Sequence, residues 1–242
     1  MDNDAFDTAL IGAAFRLAGE RGWSRVTPAA AAREAGLDLG RARQRFPGQV
    51  AVLMKFGRMA DRVALASAEG ITSGSVRDRL FDLLMRRFDV LQEHRAGVEA
   101  LMRALPARPG LALLLARATE RSMGWMLEAA GAEGTGPVGH LRAKALAGVW
   151  LWAVRAWMRD TSEDLAATMA ALDVALNRAE QAARMCRRGA APHAETPEGG
   201  SPAGAPAETP NEIPAGDTAA TAPATPQHEE EHSHEPKPEN PA

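Results

Sequence analysis

Thr27-Pro28-Ala29-Ala30-Ala31-Ala32-Arg33-Glu34-Ala35-Gly36-Leu37-Asp38-Leu39-Gly40-Arg41-Ala42-Arg43-Gln44-Arg45-Phe46-Pro47-Gly48 decides the fold. A threonine hydroxyl ahead of Pro28 is N-cap chemistry, with proline at the first helical position where its missing N–H costs nothing. Gly36 is a helix-ending glycine. Asp38 then caps a second short helix, about Leu39 to Arg45, and Pro47-Gly48 end it. Two short helices around a tight glycine turn predict a helix-turn-helix, whose second helix is the one that enters a major groove. That helix carries Arg41, Arg43 and Arg45, and arginine both reads guanine edges and binds phosphates. At about 100° per residue, Arg41 and Arg45 share a face and Arg43 points away. The expectation is one base contact and one phosphate contact from Arg41 and Arg45, with Arg43 on the backbone. Thr27 and Lys55 complete the candidate DNA-binding set. Phe46, the last large apolar group before Pro47, is expected in the core. The first 60 residues hold nine basic and six acidic groups, a net of +3.

Outward from this stretch, helix signals dominate and sustained period-2 alternation is missing. Phe6, Leu10, Ala14, Leu17 and Ala18 recur at helical spacing, and Gly22 closes that first helix. A fourth helix starts after Gly48, through Val52, Phe56, Met59 and Val63. Gly70 to Ser75 reads as a linker, with Ser75 as the next cap. Further helices are predicted over about 76–94, 97–105, 111–130, 138–159 and 164–187, with a loop at 131–137. In the last of these, Leu165, Met169, Leu172, Leu176, Ala179 and Ala183 are spaced 4-3-4-3-4, a heptad seam. The two final helices either close one chain's core or pair with their copies as a four-helix bundle. The expectation carried forward is a homodimer, with Leu165, Met169, Leu172, Leu176 and Ala179 at the interface.

Composition changes sharply near Gly189. Residues 189–242 hold 11 of the 16 prolines, no aromatic residue, one basic and ten acidic groups, a net of −9. Residues 1–188 hold 27 basic and 21 acidic groups, a net of +6. The acidic segment lacks the apolar surface to offset its ordering entropy and is expected to be disordered. The fold class expected is all-α: a helix-turn-helix head (1–55), a helical ligand-binding and dimerisation body (56–188) and the acidic, proline-rich tail (189–242).

One cysteine, Cys186, excludes an intramolecular disulfide. Met1-Asp2-Asn3-Asp4 is acidic where a secretory signal would be basic. The longest uncharged apolar run, Ala145 to Val154, is too short to span a bilayer. A cytoplasmic protein without an integral membrane segment is expected. No glycine-rich phosphate loop, spaced metal ligands or nucleophile motif occurs, so neither an enzyme nor a bound cofactor is expected. His94, at a helix end, reads as a partner for the helix dipole.

Over about Ala9 to Leu53 the chain resembles the DNA-binding head of the TetR family. The residues that carry the likeness are Ala13-Ala14-Phe15, Glu20-Arg21-Gly22, the capping Thr27, Ala32, Ala35-Gly36-Leu37-Asp38, Gly40 and Phe46. The chain departs from that pattern in two places. Arg43 or Gln44 stands where an aromatic residue is usual, and Gln49 stands where lysine is usual. The resemblance implies a dimeric regulator that binds operator DNA and responds to a small apolar ligand held in the body. Met85, Phe88, Met102, Met123, Trp125, Met126 and Trp152 are the candidate ligand residues, since methionines and indoles suit an adaptable hydrophobic site. Their alternative role is ordinary core.

A second resemblance is to the TetR-like lipid-binding accessory proteins of coenzyme Q biosynthesis, which do not act as repressors. It rests on Ala35-Gly36-Leu37-Asp38 with Phe46-Pro47-Gly48, on Arg77-Asp78-Arg79 leading to Leu91 through Arg95, and on Arg159 through Leu165 with Thr168. That family's Asp-Phe-Asn-Trp-Tyr segment is replaced here by 132–137, and the chain has no tyrosine. The regulator is the reading adopted, and the lipid-binding protein is the alternative.

Overall fold

Local capping chemistry starts α-helices at Asp2, Thr27, Asp38 and Ser75 in the computed structural model, which describes residues 1–66, 74–132 and 136–189. The Asp2 carboxylate accepts from the Ala5 N–H at 2.7 Å and starts α1 (Asn3–Arg21), which closes at Gly22. Thr27 accepts from Ala30 N–H at 3.1 Å and starts α2 (Pro28–Glu34). Asp38 accepts from Arg41 N–H at 2.7 Å and starts α3 (Leu39–Arg45). Between them, Gly36 takes φ 63°, a conformation that disfavours a Cβ, and Leu37 N–H reaches back to the Ala32 carbonyl at 2.8 Å. Next come α4 (Gln49–Ala66), then α5 (Val76–Glu93), which begins with a reciprocal Ser75–Asp78 capping box. The remaining helices are α6 (Arg95–Ala104), α7 (Pro109–Ala129), α8 (Gly136–Trp157) and α9 (Ala166–Gly189). The fold is all-α, and the described residues contain no strand.

The expected linker falls mostly on 67–73, and the expected tail beyond Gly189 falls on 190–242. Both lie outside the described residues, as does 133–135 of the expected loop. Within the described chain, α8 begins two residues earlier than expected and α9 ends two residues later.

The helix-turn-helix packs around Phe6, Leu10, Phe15, Trp23, Phe46 and Val52, all buried. The boundary expected after residue 55 falls inside α4, which continues onto α5 and α7. A second junction is α1 against α6, where glycines permit unusually close approach. A Cβ built on Gly97 would stand 2.4 Å from the Phe15 carbonyl oxygen, and one on Gly19 would stand 2.8 Å from Ala96 Cβ. His94, between α5 and α6, lies against this junction. Its ring is 5.6 Å from Phe15 and 5.5 Å from Phe56, centroid to centroid. Burial pushes its pKa down, an effect that the Arg16 charge reinforces and Glu93 opposes. That environment disfavours the cation, which corrects the helix-dipole reading.

In the body, Phe88 on α5 stacks on Trp150 of α8 at 4.5 Å, with Trp157 at 6.4 Å. The α8–α9 turn is built on Asp160, only 3% exposed. Its carboxylate accepts from the backbone N–H and hydroxyl of Ser162 and of Thr168, the last two bonds both at 2.7 Å. These bonds, led by the Ser162 hydroxyl, hold the Asp160 carboxyl far below the usual carboxylate range. Within the same turn Leu165 takes φ 55°, a left-handed conformation costly for a leucine.

Candidate nucleic-acid interface

The three arginines of α3 take different positions from those expected. Arg41 and Arg45 do share a face, but that face turns onto α1. The Arg41 guanidinium donates to the carbonyls of Met1 and Asp2, each at 3.1 Å, and to Asn3 Oδ1 at 2.8 Å. It also lies 4.4 Å over the Phe6 ring. Arg45 makes a two-pronged ion pair with Asp7, Nε to Oδ1 at 2.6 Å and Nη2 to Oδ2 at 2.8 Å. Lys55 reaches the same carboxylate at 2.6 Å and stacks 4.3 Å over Phe46. Burial pushes the Asp7 carboxyl up, but hydrogen bonds from Arg45 and Lys55 outweigh it and hold the group below the usual carboxylate range. Arg41, Arg45 and Lys55 thus bind the recognition helix to its own head, and phosphates would have to compete with these carboxylate and carbonyl partners.

The opposite face of α3 is open. Leu39, Gly40, Arg43 and Gln44 are exposed, and Leu39 keeps 44% of its surface. Arg43 donates one N–H to the Pro47 carbonyl at 2.9 Å, and its other donors have no partner among the described residues. Arg25 and Arg33 are also exposed and have no ion pair or side-chain hydrogen bond among the described residues. Thr27 is exposed, and its oxygen accepts the cap bond, which leaves the hydroxyl proton available to an acceptor.

Gln49 has a role its sequence position did not suggest. Its amide N–H₂ donates to the carbonyls of Trp23 at 2.6 Å and Val26 at 3.1 Å. Its carbonyl accepts from Arg108 at 2.9 Å, tying the start of α4 to the residue that precedes α7. A second tie lies deeper. Arg87 of α5 is buried, 2.7 Å from Asp61 of α4 and bonded to Ser122 of α7, whose hydroxyl donates to Asp61 at 2.6 Å. Arg87 stacks 4.9 Å from the Trp150 ring centroid. Its Nε has no partner among the described residues.

The expected ligand residues separate. Phe88, Met123 and Met126 are fully buried core, Met85 and Met102 are partly buried, and Trp125 and Trp152 are 60% and 55% exposed. Helical register is the reason: Trp125 lies about 200° around α7 from Met123. Only Trp125 borders the open cleft of about 660 Å³ between α7 and α8, beside Arg117, Arg121, His140 and Arg142, with Glu120 and Glu128 also at its walls. Charged side chains therefore share the cleft wall with apolar ones such as Trp125 and Leu127. No group of metal-ligating side chains occurs among the described residues.

The expected dimerisation residues lie largely against their own chain. Leu172 is fully buried within one chain, and Leu176 and Leu165 are 4% and 6% exposed. Met169 and Ala179 are partly buried beside them. The heptad seam packs on α8 and α5 of its own chain. What α8 turns outward is a second stripe, Val138, Leu141, Ala145, Gly148 and Trp152, spaced 3-4-3-4 and exposed throughout.

No family model matches the chain, and no curated protein matches it. Solved structures do. A TetR transcriptional regulator from Nitrosomonas europaea is 23% identical, covers 74% of this chain and 99% of its own, and superposes with a TM-score of 0.61. One from Rhodococcus sp. RHA1 is 19% identical, covers 74% and 97%, and gives 0.50. The fold is that of the TetR-family transcriptional regulators. These likenesses do not favour the lipid-binding alternative. No helix among the described residues is long and apolar enough to cross a membrane.

Proposed function

We propose that this protein is a TetR-type transcriptional regulator that binds operator DNA as a homodimer and responds to a small molecule. The observation that carries the reading is the open face of α3 in a head that also exposes Thr27, Arg25 and Arg33. Phosphates would be met by Arg43, Arg33, Arg25 and the Thr27 hydroxyl, while Arg41, Arg45 and Lys55 fix the pose of α3. Two heads would read half-sites about 34–36 Å apart. The outward stripe of α8, with Val174 and Met185 of α9 also exposed, supplies apolar surface for pairing with a second copy.

An effector would bind the body and shift the pairs of heads between two spacings by differential affinity. The mixed lining of the α7–α8 cleft suits an effector that carries both apolar surface and polar groups. Gln49 and the Arg87–Asp61–Ser122 cluster link α4 to the body, so α4 is the element through which a body rearrangement reaches α3. The protein belongs to the cytoplasm on this reading and performs no chemistry of its own.

The test is fluorescence anisotropy with the duplex upstream of its own gene and a random duplex of equal length, at several salt concentrations. Specific affinity at least about 10³-fold above random, with a linear log–log fall with salt, is expected. Equal affinity for both duplexes would overturn the reading.

A further inference from the structure

The way the arginines of α3 are engaged leaves one residue at the centre of the presented face. Ala42 is buried at 2% exposure and marks the side of α3 that meets the core. At about 100° per residue, Gln44 lies about 200° from Ala42, and Gly40 about 160° from it. Arg43 and Arg41 stand at about 100° to either side. Arg41 is turned down onto Met1, Asp2 and Asn3, and Arg43 is leaned along the helix onto Pro47. Gln44 is exposed, and its amide has no hydrogen bond among the described residues. Gly40, one turn earlier on the same face, carries no side chain, so the helix can lie close to a groove floor.

We infer that Gln44 is the base-reading residue of this head and that it recognises adenine in an A·T pair, with Arg43 beside it holding a phosphate. A free carboxamide presents one acceptor and one donor side by side. In the major groove adenine alone offers a matching pair, N6–H₂ as donor and N7 as acceptor, and the two join through two hydrogen bonds. Guanine offers two acceptors and would leave the glutamine carbonyl facing an oxygen. Arginine, the reader of guanine, is present on α3 three times, yet two of the three are committed to α1 and the third stands at the flank. Sequence preference therefore falls to the amide and not to the cations.

This inference rests on the regulator reading, and the experiment separates the two. The full chain selects from a random duplex library, and Gln44→Ala and Arg43→Ala select in parallel. The wild type is expected to enrich one position per half-site in adenine. Gln44→Ala should lose discrimination there by roughly 5- to 150-fold while other positions persist. Arg43→Ala should weaken all sequences alike and flatten the salt dependence. The second arm replaces the selected adenine by 7-deazaadenine, which keeps Watson–Crick pairing and removes only N7. The wild type should lose affinity on that duplex, and Gln44→Ala should bind both duplexes equally. The Gln44 amide has no hydrogen bond among the described residues, so circular dichroism should show an unchanged fold. A selected motif that Gln44→Ala leaves intact, or indifference of the wild type to N7, overturns this inference and leaves the regulator standing. Failure of the wild type to select any sequence overturns both.

Discussion

Replacing Gly97 with alanine should loosen the bolt between head and body. The added methyl would stand 2.4 Å from the Phe15 carbonyl oxygen and 2.8 Å from both Phe15 C and Phe15 Cα. These are backbone atoms inside α1, so no rotamer change can clear them. Ordinary contact requires close to one ångström more, which α1 and α6 can supply only by moving apart and opening voids around Phe15 and Val98. Overpacking of this kind costs about 1–3 kcal/mol, and more where the obstacle cannot move. Alanine's helix propensity returns about 1 kcal/mol. A net loss of about 2 kcal/mol is expected. Gly57, inside α4, is the control: nothing lies within 4 Å of the point a Cβ would occupy there, so Gly57→Ala should gain about 0.5–1 kcal/mol. Urea unfolding should place the two variants about 3 kcal/mol apart at an unchanged m-value. Thermal midpoints should move by about 2–4 °C for each kcal/mol in a body of this size. Gly97→Ala should also weaken DNA binding, because α1 carries the partners of Arg41 and Arg45. Equal stability of Gly97→Ala and Gly57→Ala would refute the close-approach argument.

Three further outcomes are expected. Asp160→Ala leaves four donors of Ser162 and Thr168 without their acceptor, two of them buried, and should cost about 3–5 kcal/mol by chemical denaturation. Because the folded Asp160 carboxyl titrates below its unfolded value of 3.8, its contribution is present above that pH and lost on acidification, a loss the variant should not show. His94 runs the same way at higher pH: its folded pKa is below the unfolded 6.5, so stability should fall as pH drops through 6.5, and His94→Gln should flatten that slope in a pH series of melts. Leu172→Ala should cost about 2–5 kcal/mol as a core truncation, whereas Trp152→Glu should leave the monomer's stability within about 0.5 kcal/mol and abolish association in light scattering; the reverse pattern would return the interface to the α9 seam.

Helix positions were legible in the sequence because their causes are local. Thr27, Asp38 and Ser75 bond to amides three residues away, Gly22 and Gly36 take positive φ, and Pro28 stands at a helix start. The period of Leu165, Leu172 and Leu176 likewise showed that a seam existed. It could not say what the seam faces, since a heptad stripe fits a neighbour in its own chain as well as one in a copy. Tertiary packing chose α8 and α5. The same holds for the arginines: spacing put Arg41 and Arg45 on one face, but the carbonyl, amide and carboxylate oxygens that occupy them lie on α1 or just before it, 38 or more residues earlier. Arg87 stood in the sequence between Leu84 and Phe88, on the apolar side of α5, a misfit that signals a buried charge. Naming its partners required the crossing of α4, α5 and α7. Local hydrogen bonding is written in neighbouring residues and so can be read there. Which charged or apolar face meets which is settled by contacts between helices far apart in the chain, and for this protein that choice decided which residues of α3 stay exposed.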